Sequence, residues 1–111
     1  MKRFSMFGAL AIAAMMSAGI ASAQTTTLTG IVSDQMCGAH HMMAGASAQK
    51  CTRECVGMGS PYALVVGDKV YTLQANPEVK KELYALAGEA AVVKGTVSGM
   101  TVQVSTVVPG K

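Results

Sequence analysis

The sequence has no tryptophan, only two phenylalanines and three tyrosines, and charge on 14% of its 111 residues. Base stacking needs aromatic faces and phosphate binding needs clustered Lys and Arg, so nucleic acid is not an expected partner. No C-x-x-C pairs the cysteines and no C-x-x-C-H is present, which argues against thioredoxin-like exchange and covalent haem. Neither G-x-x-x-x-G-K-[ST] nor G-x-G-x-x-G occurs, so the chain carries no phosphate-cradling loop of the known kinds. A G-x-S-x-G elbow is also missing, and the six acidic residues show no glycosidase-like pairing. A Cys–His nucleophile pair is the one catalytic arrangement left open. It would require a positioned third group and a cleft, so a binding protein is expected rather than an enzyme.

The N-terminus reads as a separate object. Lys2 and Arg3 precede an apolar run from Met6 to Met16, and Ala21-Ser22-Ala23 supplies small residues of the A-x-A kind. This is the pattern of a secretory signal peptide over 1–23, with cleavage expected after Ala23. Ser17, Gly19 and Ser22 break the apolar stretch, so no stable membrane anchor is expected after cleavage. Residues 24–111 would then form one exported domain, periplasmic or secreted. Removing the leader lowers the formal charge from +3 to +1, which places much of the basicity outside the domain.

From Thr25 to Ser33, Leu28, Ile31 and Val32 sit among four threonines, a strand signal by composition. Tyr62–Val66 and Val70–Leu73 flank Gly67-Asp68-Lys69 as a tight hairpin. Asn76-Pro77 starts a helix, on which Val79, Leu83, Leu86 and Ala87 form one apolar stripe before Gly88. Ala91–Val97 and Met100–Val108 make a last hairpin, with Met100, Val102 and Val104 expected on the buried face. This order predicts a mainly β fold: a five-stranded OB-like barrel, one helix between strands three and four, and a Cys/His-rich loop after strand one. That loop, 34–60, contains a short helical stretch over Gln49–Val56.

Every cysteine and histidine falls in this excursion, as Cys37-Gly38-Ala39-His40-His41 and Cys51-Thr52-Arg53-Glu54-Cys55. Written as ligands, Cys37, His40, Cys51 and Cys55 give C-x2-H-x10-C-x3-C. Each pair lies on a short turn, as a tetrahedral ion requires, and thiolate with imidazole suits zinc or copper. His41, Met42 and Met43 are possible additional ligands, the thioethers favouring copper. An exported protein meets an oxidising compartment, so the same cysteines are also disulfide candidates. Cys37 could bridge to Cys51 or Cys55, whereas Cys51 and Cys55, at i,i+4, point side by side and pair poorly. Both readings stand at this level, as does a thiol-redox role for the cysteine left over. Asp34 could cap the turn carrying Cys37 or accept a hydrogen bond from a ligating histidine. Lys50, Arg53 and Glu54 are expected on the wet face of the short helix.

The run Gly30-Ile31-Val32-Ser33-Asp34-x-x-Cys37-Gly38, with His40 following as C-G-x-H, continues in Cys51-Thr52-x-x-Cys55-Val56-x-x-Gly59. It resembles a group of small secreted bacterial domains of unknown function with a D-x-x-C-G … C-T-x-x-C-V-x-x-G signature. The Val92–Val102 run looks like the closing hairpin of periplasmic bacterial OB-fold proteins. The resemblance implies an exported OB-like domain whose distinguishing part is the Cys/His segment. Its partner would be a protein, a small ligand or an oligomeric ligand on the barrel face.

Overall fold

The computed structural model describes residues 24–39 and 47–110. The expected leader, His40, His41, Met42 and Met43 lie outside the described residues. Five strands and two helices run in the order β1 (Gln24–Asp34), α1 (Ala48–Gly57), β2 (Tyr62–Val66), β3 (Lys69–Gln74), α2 (Pro77–Ala85), β4 (Ala90–Ser98) and β5 (Thr101–Pro109).

The strands close into a barrel in the order β1-β2-β3-β5-β4. β1 serves two neighbours: Gln24–Ile31 pairs antiparallel with β4, and Ile31–Asp34 pairs antiparallel with β2. The β2–β3 and β4–β5 hairpins are antiparallel as well. A short parallel ladder, Thr72–Gln74 of β3 against Thr101–Gln103 of β5, completes the ring. Parallel neighbours need a crossover between them, and α2 with β4 supplies it. This is the OB-like architecture that the element order predicts, with the helix between strands three and four.

Inward-facing side chains fill the barrel: Val32, Leu64, Leu73, Val93, Val102 and Val104 are buried. α2 adds Val79 and Leu83 to the same core. Asn76 starts this helix by accepting a hydrogen bond from the Val79 N–H at 2.9 Å, which satisfies one of the amides a helix start leaves open. Gly88 ends the following turn at φ 77°, in the left-handed region, and donates its N–H to the Val32 carbonyl at 2.8 Å. A Cβ there would stand 2.6 Å from the Gln49 nitrogen, so α1 approaches this turn over bare backbone.

Met100 departs from the expected alternation. It lies in the β4–β5 turn and is exposed, while Val102 and Val104 face inward as expected. Further along, the register slips between Lys94 and Gly95: Lys94 opposes Thr106 and Gly95 opposes Val104. Ser105 is the additional residue of this bulge, and beyond it Val107 rather than Thr106 faces the core. A period-two reading of β5 cannot anticipate that change of phase.

Candidate metal centre

β1 delivers three consecutive buried residues, Val32, Ser33 and Asp34, to the rim of the barrel. There the chain turns through 35–39, and polar groups of β1 hold the turn from both sides. The Asp34 carboxylate Oδ2 accepts the Cys37 N–H at 3.1 Å, and the Asp34 carbonyl accepts the Gly38 N–H at 2.7 Å. The Ser33 hydroxyl donates to the Gly38 carbonyl at 2.7 Å. Gly38 adopts φ 57°, a conformation that side chains disfavour and that this tight turn requires. Cys37 is thereby fixed with its side chain buried.

Ser60 contributes from the far end of the excursion. Its Oγ accepts the Met36 N–H at 3.2 Å and donates to Asp34 Oδ2 at 3.4 Å. Its own N–H is taken by the Cys55 carbonyl at 3.1 Å, so the last turn of α1 is tied directly to the group that holds Cys37.

α1 begins at Ser47, whose hydroxyl accepts the Lys50 N–H at 3.1 Å. Cys51, Thr52 and Cys55 share its buried face, as the i,i+4 spacing of the two cysteines dictates. On the outer face, Lys50 and Glu54 are exposed and lie 3.8 Å apart. Arg53 differs from the expected wet-face residue. Its Nε donates to the Tyr84 carbonyl at 2.9 Å and its guanidinium lies 4.4 Å from the centre of the Tyr84 ring. That contact fastens α1 to α2.

The three sulfurs meet between the turn and the helix. Cys37 Sγ lies 3.1 Å from Cys51 Sγ and 3.5 Å from Cys55 Sγ, and all three sulfurs fall within 4.8 Å of one another. They form a buried cluster of their own, separate from the barrel core. At these distances the thiols are in contact rather than bonded, since a disulfide measures about 2.05 Å. The Cys55 thiol is pushed up from 9.0 to about 12, first by burial, then by its contact with Cys37 and the negative charge of Asp34. Two buried oxygens of this region, Asp34 Oδ1 and Thr52 Oγ1, have no hydrogen-bond partner among the described residues. Such groups usually find one.

The donor set fits a soft cation. Tetrahedral zinc with Zn–S bonds of about 2.3 Å holds its sulfurs about 3.8 Å apart. The two contacts of Cys37, at 3.1 and 3.5 Å, are each less than 1 Å shorter than that value, so small side-chain movements would open the cluster around an ion. The cluster can therefore coordinate a metal ion.

The structure brings together Cys37, Cys51 and Cys55 of the expected ligand set, and Asp34 caps the turn carrying Cys37, one of the two roles the sequence left open. Met36 and Met58, which flank the cysteines in sequence, are exposed. Ser33, Ser60 and Thr52 were not singled out. The role of Ser60 depends on the return of the chain to the end of β1, which no local pattern encodes, whereas the Ser33 bond spans five positions within one turn. Beside Ser60, a cavity of about 410 Å³ opens between the end of α1 and the rim of the β2–β3 hairpin, lined by Val56, Tyr62, Leu73 and Lys80 among others.

No family model, curated protein or solved structure matches the chain. The class rests on the fold and the site themselves: a small OB-like barrel carrying a buried three-thiol cluster on the excursion after its first strand. Among the described residues, no helix is long and apolar enough to cross a membrane.

Proposed function

We propose that the protein is an exported binding module that holds a soft metal ion, zinc(II) or copper(I), on Cys37, Cys51 and Cys55. The observation that carries this reading is the convergence of three buried sulfurs within 4.8 Å. Sulfur donors select soft and borderline cations over calcium or magnesium, and the low-dielectric surroundings strengthen a thiolate–cation bond once it forms. His40, three positions after Cys37, is the proposed fourth donor, with His41, Met42 and Met43 as further candidates on the same segment. Export rests on the leader pattern of residues 1–23.

Titration of the reduced chain tests the reading. Zinc(II) should bind at one equivalent in competition with a chromophoric chelator, and copper(I) likewise against bicinchoninate. Three thiols that remain fully reactive toward maleimide in the presence of either ion would refute it. N-terminal sequencing of the protein recovered outside the cytoplasm is expected to begin at Gln24.

A further inference from the structure

The three sulfurs are not equivalent. Cys37 touches both of the others, at 3.1 Å and 3.5 Å, and is the least buried of the three at 8% exposure, against 4% for Cys55 and 0% for Cys51. Cys51 and Cys55 share one helix face at i,i+4, where the Cβ vectors run side by side and do not reach disulfide geometry. Any bond made within the cluster must therefore include Cys37. Closing the Cys37–Cys51 contact to a bond requires about 1 Å of approach.

We propose that the cluster is a redox-gated site in which Cys37 is the exchanging sulfur: Cys37 attacks an external small-molecule disulfide, the bond passes to Cys51, and a bound metal ion is released. The disulfide half stands on the sulfur geometry alone; the release half rests on the metal-binding reading above.

Cys37 attacks the external disulfide R′S–SR′, forming a Cys37–S–SR′ bond and expelling one R′S⁻. Cys51 then attacks the Cys37 sulfur, forming Cys37–Cys51 and expelling the second R′S⁻. Two protein sulfurs are oxidised and one external disulfide is reduced to two thiols, which take up the protons that the cysteines lose. In the loaded protein the metal holds those positions instead of protons. Two of its three thiolate donors disappear, Cys55 alone remains, and the ion leaves. Neighbouring sulfurs make the second step intramolecular, which favours it over a second encounter with external disulfide.

The test exposes the reduced full chain, with and without one equivalent of zinc(II), to oxidised glutathione. Acid quenching, alkylation and peptide mapping locate the bonds, and 4-(2-pyridylazo)resorcinol reads released zinc. A Cys37–Cys51 bond as the main product, with Cys55 alkylated and zinc freed in step, is expected. Cys55→Ser should still form that bond, whereas Cys37→Ser should form an internal bond at least about tenfold more slowly. A Cys51–Cys55 bond, or Cys37 halted as the mixed disulfide with glutathione, overturns the proposal, and wild-type mapping decides this whether or not the variants fold. Zinc retained after the Cys37–Cys51 bond has formed overturns the release half. A reduced chain that binds no zinc overturns the metal-binding reading and with it the release half, while the map still decides the exchange.

Discussion

Cys37 Sγ lies 3.1 Å from Cys51 Sγ although fourteen positions separate the two residues. One sits in a turn braced by a buried carboxylate and the other in the second turn of a helix. Their meeting is the point at which the excursion after β1 folds back on its own origin. The contact requires both braces, so changes at either end should be read at the sulfurs.

Replacing any one cluster cysteine by serine exchanges a soft donor for a hard one in a buried site. For Cys51→Ser and Cys55→Ser, zinc or copper(I) affinity is expected to fall by more than about 100-fold, beyond the range found for groups that merely support ligands. Competition titrations against a chelator measure this. Met58→Leu, on the exposed flank, should leave the affinity unchanged.

The pH dependence of the metal-free, reduced protein follows from Cys55, whose thiol is raised from 9.0 to about 12 by burial, by Cys37 and by Asp34. The folded chain keeps a proton that the unfolded chain loses. This contribution to stability is complete below about pH 9 and declines between about pH 9 and 12. Thermal unfolding should show Tm falling through that window, and Cys55→Ala should flatten the fall. Metal affinity has the opposite sign. Binding displaces thiol protons, so affinity should rise with pH, by up to about tenfold per unit for each proton released.

Asp34→Ala removes the acceptor for the Cys37 N–H and for the Ser60 hydroxyl. A buried N–H left without a partner costs about 1–3 kcal/mol, and losing a group that orients a ligand lowers metal affinity by about 10–100-fold. Chemical denaturation and chelator competition check the two effects separately. Asp34→Asn retains an acceptor oxygen and should lose less in both.

Gly88→Ala tests how α1 is seated on the barrel. The residue has φ 77°, and its Cβ would come within 2.6 Å of the Gln49 nitrogen. The backbone conformation alone costs an alanine about 1–2 kcal/mol, and the overlap adds to it. Gly57→Ala, at the end of α1 with nothing within 4 Å of the added carbon, should be neutral or stabilising by up to about 1 kcal/mol. Midpoints of urea unfolding should move in opposite directions or differ clearly in size.

The barrel was legible because its signals are local. Asn76-Pro77 marks a helix start, Gly67-Asp68 a turn, and alternating valines a strand, and each does so within a few residues. The barrel order follows once a helix is placed between the third and fourth strands. Met100 was misplaced because inward-facing alternation was extended one residue into a turn. Ser105 was missed because a bulge is a property of two strands together. At the site, cysteine spacing revealed which sulfurs could converge. It was silent on Ser60 and on Arg53 reaching Tyr84, since both depend on chain segments distant in sequence, and on the Ser33 bond to Gly38, which spans only five positions but is not encoded by the cysteine spacing.

The parallel β3–β5 ladder closes the ring of strands. Each strand has two bonded neighbours, so the ring leaves only partial edges, such as Gln24–Gly30 of β1 and Val104–Pro109 of β5, which pair on one side. Chemistry at the sulfurs can therefore proceed on a body whose strands are already committed to one another, and the excursion can be altered by substitution without removing a strand from the ring.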